Sequence, residues 1–445
     1  MSEWKKVRIG DVCTIEKGAT GIASATPGKY PMVTTGAERK TCANFQFDAD
    51  AVCIPLVSST GHGKKTLNYV HYQSGKFALG TILAAVIPKK PDELSARFLH
   101  LYLHHFKNSV LVPLMKGAAN VSLPMKGIAD VNVPLPPVAQ QLSTVDLVCR
   151  LENEHAELAE ENANQLTLLK QLRQAILQEA VEGKLTADWR KKNPVRKGDP
   201  EFDAGALMER IRAEKERMVE EGKIGREKPL APIEKEERPL EVPVGWVWIK
   251  LENLGYLVGG GTPSTSNPAY WDGDVPWVCP KDMKVDTISD SIDKITMLGV
   301  QNSSTRLVPK LSVLFVVRGM ILAHTFPVAV NDREVSLNQD MKAIVLPMVE
   351  MSYYVKLMLD GSSKRILQLT NTSTHGTKRL EYAASYGNMP FPLPPLAEQR
   401  AIVARVDSLM STLDELETQI SSRKSQSEML MQSVLREAFE GGRGG

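Results

Sequence analysis

An internal repeat constrains this chain more than any other feature of its sequence. The tract VPLPPVAQQ at residues 133–141 returns as FPLPPLAEQ at 391–399, and ILQEAVEG at 176–183 returns as VLREAFEG at 434–441. Both pairs have the same offset, since 391 − 133 = 258 and 434 − 176 = 258. Two segments of equal length therefore begin and end alike.

Each repeated segment is predicted to be one long helix. Pro137 and Pro395 suit a first helical turn, no proline follows in either segment, and Gly183 and Gly441 stand where a C-terminal cap is expected. Apolar residues of the second copy recur at alternating spacings of four and three, which is the heptad pattern of a paired helix. A helix of about 45 residues is roughly 70 Å long and needs a partner along its length.

The two helices are expected to pair with each other, antiparallel, because they are of equal length in one chain. Two independent dimerising coiled coils are the alternative. With the helix ends aligned, Gln165 faces Leu413 and His155 faces Arg423, and His155, Asn162 and Gln165 act as polar residues that set the register. The predicted interface between the helices consists of Val148, Leu151, Leu158, Leu169, Leu172, Ile176, Val406, Leu409, Leu413, Leu416, Ile420, Leu430 and Val434.

The second helix also gives a mainly apolar seam when it is paired with its own copy in that register. Leu416 then meets Ile420, and Ile402 meets Val434. Residues 242–445 alone are therefore expected to form a homodimer.

The stretches before the helices are predicted to be two related domains of mixed α/β structure. Trp4, Gly18 and Thr20 correspond to Trp246, Gly260 and Thr262 at an offset of 242. Apolar runs predict strands at 51–57, 81–87, 311–317 and 342–346, and helices at 94–106 and 351–359, with a small sheet in each domain. The predicted fold is thus two globular α/β domains joined by two long antiparallel coiled-coil helices. Its parts are a first domain at 1–132, a long helix at 133–183, a connector with a charged helix at 184–241, a second domain at 242–390 and a second long helix at 391–441.

Charge and cysteine usage narrow the possible classes of protein. The net charge is only +2, but residues 1–132 carry 16 Lys and Arg against 9 Asp and Glu, whereas 137–182 carry 3 against 8. This imbalance fits a basic domain followed by an acidic helix, or an uneven solvated surface. Five scattered cysteines without a C-x-x-C pair indicate buried thiols in a reducing compartment. With no signal peptide and no apolar stretch of membrane length, the chain is expected to be cytoplasmic.

Two segments superficially suggest an enzyme. Residues 267–270 (NPAY) are similar to the Asn-Pro-Pro-Tyr loop of amino-methyltransferases, and the glycines at 259–261 to a cofactor-binding turn. The second proline is missing, however, and the glycines lack the strand–G-x-G-x-x-G–helix setting. Turn roles account for both segments. His100, His104 and His105 have no carboxylate or cysteine at the spacing of a metal site. We therefore expect no catalytic residue, no metal and no cofactor on this chain.

The repeated proline-rich tract followed by a long helix resembles the specificity subunits of Type I restriction-modification systems. The resemblance covers nearly the whole chain, and GGGTPS at 259–264, GDVPWVCPKDM at 273–283 and LNQD at 337–340 resemble the family's target-recognition domains. It implies a non-catalytic subunit whose two domains each read half of a split, asymmetric DNA site, while the helices fix the unread gap. It also implies two methyltransferase subunits that bind S-adenosylmethionine and methylate adenine, and nuclease–translocase subunits that can join them.

Polar loops supply the donors that DNA reading requires. Amides and guanidinium groups suit base edges, and lysines and hydroxyls suit phosphates. The predicted DNA-binding residues are Thr34, Thr35, Arg39, Lys40, Ser58, Ser59, Thr60, His62, Lys64 and Lys65 in the first domain, and Lys281, Asn338, Gln339, Asn371, Thr374, His375, Lys378 and Arg379 in the second.

Two other functions stay open at this point. A stand-alone DNA methyltransferase would bind S-adenosylmethionine as a purified chain. A coiled-coil scaffold unrelated to DNA would bind no duplex.

Overall fold

The computed structural model describes residues 4–60, 63–226, 230–372, 377–380 and 387–440. The chain forms two compact units, one built from residues 1–165 and 419–445 and the other from residues 166–418. Each of the two long helices contributes to both units. This is the predicted class of fold, mixed α/β with two long helices.

The first unit contains the first domain and the start of the first long helix. Its elements are β1 (Lys6–Arg8), α1 (Ile9–Val12), β2 (Cys13–Lys17), β3 (Tyr30–Val33), β4 (Lys40–Cys42), β5 (Phe47–Asp48), β6 (Ala51–Pro55), β7 (His71–Gln73), β8 (Lys76–Leu79), β9 (Leu83–Pro88), α2 (Ala96–Val110), α3 (Met125–Asp130), β10 (Asn132–Pro134) and α4 (Val138–Val181).

The second unit contains the connector, the second domain and the start of the second long helix. Its elements are α5 (Ala187–Lys192), α6 (Ala204–Glu220), β11 (Val247–Lys250), α7 (Leu251–Leu254), β12 (Tyr256–Gly259), β13 (Trp271–Val278), β14 (Thr287–Ile288), β15 (Lys294–Ile295), α8 (Met297–Gln301), β16 (Leu307–Val308), β17 (Val313–Val316), β18 (Val328–Asn331), β19 (Val335–Leu337), β20 (Met341–Val345), α9 (Ser352–Gly361), α10 (Ser363–Leu367), β21 (Thr370–Thr372), β22 (Lys378–Leu380), β23 (Pro390–Leu393) and α11 (Leu396–Glu440).

The two domains share one sheet topology, so the faint sequence repeat reflects a repeated fold. The first has a sheet of order β2-β9-β6-β7, and the second has the equivalent order β12-β20-β17-β18 with β14 added at the edge. A further sheet in each domain has a central parallel pair, β3 with β8 and β13 with β19. Each domain thus has two larger sheets where a single small one was predicted. Most strands of the second sheet have only two to four residues, and the eight-residue β13 is interrupted by two aspartates, so none of them shows a long apolar run.

The predicted strands and helices inside the domains are present. The runs at 51–57 and 311–317 contain β6 and β17, whose residues are all buried, as expected for central strands. The runs at 81–87 and 342–346 overlap β9 and β20, and the predicted helices overlap α2 and α9. The charged helix of the connector is α6, which begins at Asp203, whose side chain accepts a hydrogen bond from the Gly205 amide.

The proline-rich tract turns the chain from a strand into a long helix in both copies. Gln141 donates from Nε2 to the carbonyl of Pro136 at 2.8 Å, and Gln399 makes the equivalent bond to Pro394 at 3.0 Å. The helices that follow have 44 and 45 residues. α4 ends two residues before the predicted Gly183, whose φ of +73° is the left-handed conformation that favours glycine. Gly441 lies outside the described residues.

Most of the predicted helix interface is buried or half-buried, but three of its residues are not. Val148, Leu169, Ile176, Val406, Leu413 and Ile420 are buried, and Leu151, Leu158, Leu409 and Val434 are half-buried. Leu172, Leu416 and Leu430 are 47%, 41% and 65% exposed, so their placement in the interface was wrong. A helix with 3.6 residues per turn drifts away from a 3.5-residue repeat, and the less exposed residues are instead Arg173 beside Leu172 and Met431 beside Leu430.

The helices are antiparallel, but their register differs from the predicted one. Arg423 donates to Gln165 Oε1 at 3.3 Å in the first unit, and Arg173 contacts Glu417 at 3.0 Å in the second. Gln165 was predicted to face Leu413, so the shift is 423 − 413 = 10 residues. Aligning the ends was wrong because the first turns of α4 pack on its own domain, where Gln141 accepts the Ser95 amide at 2.8 Å.

The observed register removes the argument for a homodimer of residues 242–445. Arg423 and Gln165 occupy equivalent positions of the repeat, because they are 258 residues apart. Pairing the second helix with its own copy in this register places Arg423 against Arg423. Two like charges in contact disfavour that dimer, whereas glutamine against arginine favours the pair within one chain.

The last turns of α11 pack into the core of the first unit. Phe439 is 2% exposed, and its ring lies 5.3 Å from that of Phe98 on α2. Leu435 and Val148 belong to the same apolar cluster. The end of one repeat thus completes the core around the start of the other.

The carboxylate of Glu398 anchors the connector to the start of α11. It is buried, with 1% exposure, and it accepts hydrogen bonds from Thr186 Oγ1 at 2.7 Å, Arg190 Nη1 at 2.5 Å and Trp246 Nε1 at 2.7 Å. The equivalent residue of the first repeat, Gln140, is exposed. The two repeats therefore differ sharply at this position.

Replacing Glu398 by alanine is expected to lower the free energy of unfolding by about 3 kcal/mol, because it leaves Arg190 and Trp246 without their buried acceptor. Gln140→Ala is the matched control, and its exposure predicts a change below about 0.5 kcal/mol. Urea denaturation followed by circular dichroism measures both. Equal effects of the two substitutions would contradict the assignment of Glu398 as an anchor.

Candidate nucleic-acid interface

The loop between β3 and β4 is held in place by Arg39. Its guanidinium group donates to Gln73 Oε1 at 3.0 Å, to His71 Nδ1 at 3.1 Å and to the carbonyl of Tyr72 at 3.1 Å. Of the residues predicted to bind DNA here, Thr34 is buried, Thr35 is half-buried and Lys40 is exposed. Arg39 therefore positions the loop, and Lys40 is its available cation.

His71 remains neutral so that it can accept this bond. Burial lowers the pKa of His71 to about 4, and the charges of Arg39 and His104 lower it as well, against a hydrogen bond with the Thr34 backbone. The ring stacks on that of Tyr69, with centroids 5.7 Å apart.

The hydroxyls of the loop after β6 are used within the loop itself. Ser58 Oγ donates to the carbonyl of Lys64 at 2.5 Å, Thr60 Oγ1 lies 2.7 Å from Thr66 Oγ1, and Ser59 Oγ accepts the amide of Asn68 at 2.9 Å. Ser58, Ser59 and Thr60 therefore shape the loop. Lys64 and Lys65 are exposed, and none of the ion pairs within the described parts of the chain involves them.

A neighbouring segment adds a cation that the sequence interpretation missed. The amide of Ser58 donates to the carbonyl of Val121 at 3.1 Å, which places residues 116–122 beside the loop. Lys116 in this segment is exposed. Its position next to Gly117, in the stretch KGAAN at 116–120 that has no large apolar residue, was a usable signal of a loop.

The three histidines of α2 join elements inside the first unit. His100 Nε2 and His104 Nδ1 both donate to the carbonyl of Val70, at 3.0 and 3.4 Å, and His105 contacts Glu152 of α4 at 2.9 Å. Burial is the main cause that lowers the pKa of His100 to about 4 and also lowers that of His104. These rings hold the segment that carries His71 against α2.

In the second unit, Gln339 stands on a rigid support. Gly260 is packed so closely that a Cβ there would lie 1.8 Å from the carbonyl oxygen of Asn338, and the Gly261 amide donates to the Leu337 carbonyl at 2.9 Å. The hydroxyl of Thr262 contacts Gln339 Oε1. Gln339 itself is exposed, so its amide nitrogen faces solvent from a fixed side chain.

Asn338 has a structural role next to it. Asn338 is 6% exposed. Its backbone N–H donates to the Val278 carbonyl at 3.0 Å, and its side-chain Oδ1 accepts the backbone N–H of Asp340 at 3.0 Å. These bonds form the turn that presents Gln339. The burial of Asn338 disfavours the predicted contact with DNA.

A group of cations lies beside this turn. Arg318 Nε is 3.5 Å from Asp340 Oδ1, and its backbone bridges that of Arg379 on β22. Burial, and then the nearby charge of Arg379, lower the pKa of Lys342. Arg318 was missed by the sequence interpretation, because it follows the buried strand β17 without a polar motif.

The remaining predicted residues of the second domain differ in exposure and in their contacts. Asn371 is exposed and paired across the β21–β22 hairpin with Arg379, and Lys378 on the same hairpin is half-buried. Lys281 contacts Asp293 at 2.6 Å, and this carboxylate raises its pKa. His62, Thr374 and His375 lie outside the described residues.

The segments that suggested an enzyme have turn roles. Asn267 Oδ1 accepts the Ala269 amide at 3.2 Å in a short 3₁₀ turn, and Gly259 to Gly261 lead from β12 to the support of Gln339. Within the described ranges, no three His, Cys, Asp or Glu side chains are grouped as metal ligands. Four of the five cysteines are buried as predicted, and Cys149 is partly exposed. No helix in the described part of the chain is long and apolar enough to cross a membrane.

Comparison with known proteins identifies the class to which this fold belongs. A family model described as Type I restriction modification DNA specificity domain matches residues 1–168 and 243–423, which is more than half of the chain. The chain therefore belongs to the family of Type I restriction-modification DNA specificity proteins.

Individual relatives agree with this assignment. The chain is 32% identical over 186 residues to the specificity subunit of the Type I restriction enzyme EcoR124I/EcoR124II of Escherichia coli, covering 41% of this chain and 46% of that protein. It is 27% identical over 293 residues to the EcoAI specificity subunit of E. coli, covering 60% and 44%. The chain thus spans less than half the length of these two relatives. The EcoDI specificity subunit of E. coli is 23% identical over 460 residues, covering 99% of this chain and 88% of that protein.

Solved structures show the same fold. A chain from a structure of the type I R-M system matches with a TM-score of 0.65 at 16% identity, covering 99% of this chain and 98% of that one. The HsdS subunit from Thermoanaerobacter tengcongensis matches with a TM-score of 0.56 at 17% identity, covering 98% and 97%.

The low pKa of His71 predicts a loss of stability in mild acid. The pKa is lowered from 6.5 to about 4 in the folded chain, so unfolded molecules take up this proton first as the pH falls. The stabilisation is complete above pH 6.5 and is lost progressively as the pH falls towards 4. His71→Gln should therefore show a smaller decrease in the free energy of unfolding over this interval.

Urea denaturation at a series of pH values tests this prediction. Values at pH 8, where the imidazole is neutral in both states, correct for packing lost in the variant. Parallel pH profiles for the wild type and His71→Gln would show that His71 does not contribute.

Proposed function

We propose that this chain reads a split DNA site, one half with each domain, as the specificity subunit of a Type I restriction-modification complex. The observation that carries the proposal is the design of the two polar surfaces. In each, bonds within the protein fix the loops, and cations or amides project into solvent. Loops fixed in this way lose little backbone entropy when their projecting side chains contact DNA.

The two surfaces suit different chemistry. The first offers Lys40, Lys64, Lys65 and Lys116, which suit phosphates. The second combines Gln339, an amide able to read a base edge, with the guanidinium groups of Arg318 and Arg379. Unlike surfaces favour unlike half-sites, and hence an asymmetric sequence.

Partners would supply the chemistry of the complex. Two methyltransferase subunits would dock on this chain, bind S-adenosylmethionine and methylate adenine, and nuclease–translocase subunits could join them. The chain would hold no cofactor of its own. Work on DNA of this kind would be done in the cytoplasm.

Replacing Lys64 and Lys65 together by alanine should weaken duplex binding and reduce its salt dependence. The slope of log K against log salt should become shallower by up to about one unit per lost phosphate contact. Lys5→Ala with Lys6→Ala is a matched control, because these exposed lysines lie at β1, which pairs with β10 next to α4. Fluorescence anisotropy at several salt concentrations measures both pairs. An unchanged slope for the first pair would remove this loop from the interface.

Gln339→Ala should change specificity rather than general affinity. Loss of an amide that reads a base edge costs about 1–3 kcal/mol of discrimination, or roughly 5- to 150-fold at one position of the second half-site. The salt slope should not change. Gln178→Ala is the control, because Gln178 is exposed on α4 and its Nε2 donates to Glu182 Oε1 at 2.8 Å. Mapping methylated adenines in cells that carry each variant gives the result, and an unaltered site would exclude Gln339 as a base reader.

A further inference from the structure

The start of α11 is covered by a segment of the connector. The amide of Leu396 donates to the carbonyl of Pro200 and that of Ala397 to the carbonyl of Glu201, both at 3.1 Å. Arg400 donates to both oxygens of the Glu201 carboxylate, from Nη1 to Oε2 at 2.7 Å and from Nη2 to Oε1 at 3.2 Å. The segment thus satisfies two of the amides that every helix leaves unpaired in its first turn.

None of the residues that the structure describes covers the equivalent start of α4 in this way. Pro137, Ala139 and Gln140 are exposed, whereas Pro395 and Glu398 in the second repeat are buried. The amides of Val138 and Ala139 have no hydrogen-bond partner among the residues that the structure describes.

Two side chains beside these amides are also left without a covering partner among the described residues. Leu142, which takes the place of Arg400, is 53% exposed, although it is a large apolar residue. Trp4 is only half-buried, and no described residue accepts a bond from its indole, whereas the equivalent Trp246 donates to Glu398 at 2.7 Å. Within the described parts of the chain, the surface that the connector covers in the second repeat is therefore left uncovered in the first.

We infer that Trp4, the first turn of α4 and Leu142 form a docking surface for an extended segment of the methyltransferase subunit. The inference rests on the proposed function, since that function supplies the partner. The second repeat indicates how such a segment binds, because residues 200 and 201 present two successive carbonyls to the helix amides. The partner segment would do the same for Val138 and Ala139, with a further acceptor at the Trp4 indole.

The first repeat has Leu142 where the second has Arg400, and this difference determines which kind of segment can bind. A carboxylate like that of Glu201 would lie unpaired against Leu142, so the connector of a second copy of this chain is a poor fit. An apolar side chain at that position would instead cover Leu142 and remove its exposed surface from water. The docking segment is therefore apolar where the connector is acidic.

The test compares Leu142→Asp with Leu147→Asp in the full chain. Leu147 is 37% exposed on the same helix, and five residues at 100° each turn it by about 140° from Leu142. Leu142→Asp should weaken binding of the purified methyltransferase subunit about tenfold or more, as measured by calorimetry, and Leu147→Asp should leave it near the wild-type value. Circular dichroism verifies that both variants are folded.

Other results would overturn the inference. These are wild-type affinity for Leu142→Asp, an equal loss for both variants, or no binding of the methyltransferase subunit by the wild type. Light scattering that shows a dimer broken only by Leu142→Asp would assign the surface to a second copy instead. Duplex binding by the chain alone is measured in parallel, so that a failure of DNA reading is distinguished from a failure of docking.

Discussion

The fold depends on how one glutamine side chain fixes the first turns of a long helix. Gln141 donates to the carbonyls of Pro136 and Glu93, both at 2.8 Å, and accepts the amide of Ser95, the residue that caps α2. These bonds tie the turn after β10 to the start of α2, and so set the direction in which α4 leaves its domain. Gln399 repeats only the proline bond, and its Oε1 is buried without a partner in the described residues. In the second copy, the start of the long helix is held instead by Glu398, which accepts hydrogen bonds from Thr186, Arg190 and Trp246.

The helix register follows from this attachment. Because the first turns of α4 belong to their own domain, α11 pairs with α4 only beyond them, and its last residues reach the core around Phe98. Pairing then brings Gln165 to Arg423. One repeat has a neutral amide at this position and the other a guanidinium group. The two helices are therefore better partners for each other than for copies of themselves.

The sequence was informative wherever a pattern repeats. The offset of 258 residues, the prolines and the glycine at 183 predicted both long helices to within a few residues of their ends. Periodicity did not provide the register, because it depends on side-chain bonds such as that of Gln141 to Ser95, between residues far apart in the chain. It also misplaced Leu172 and Leu430, since a strict heptad ignores the drift of a real helix.

The candidate interface was harder to predict for a related reason. Residue types identified the polar loops, but they do not separate a side chain that supports a loop from one that projects from it. Arg39, Ser58 and Asn338 are used internally, whereas Lys64 and Gln339 are exposed. Arg318 is next to Asp340 only through the sheet, so no local motif marks it.

The placement of Phe439 has a consequence for synthesis on the ribosome. The first domain emerges early, yet its core includes Leu435 and Phe439, which are translated some three hundred residues after Phe98. Until then the apolar surface of α2 that packs against Phe439 faces water, and long-range closure of this kind is slow. The domain that is made first is therefore the one completed last, and its apolar surface on α2 stays uncovered until the end of α11 has been made.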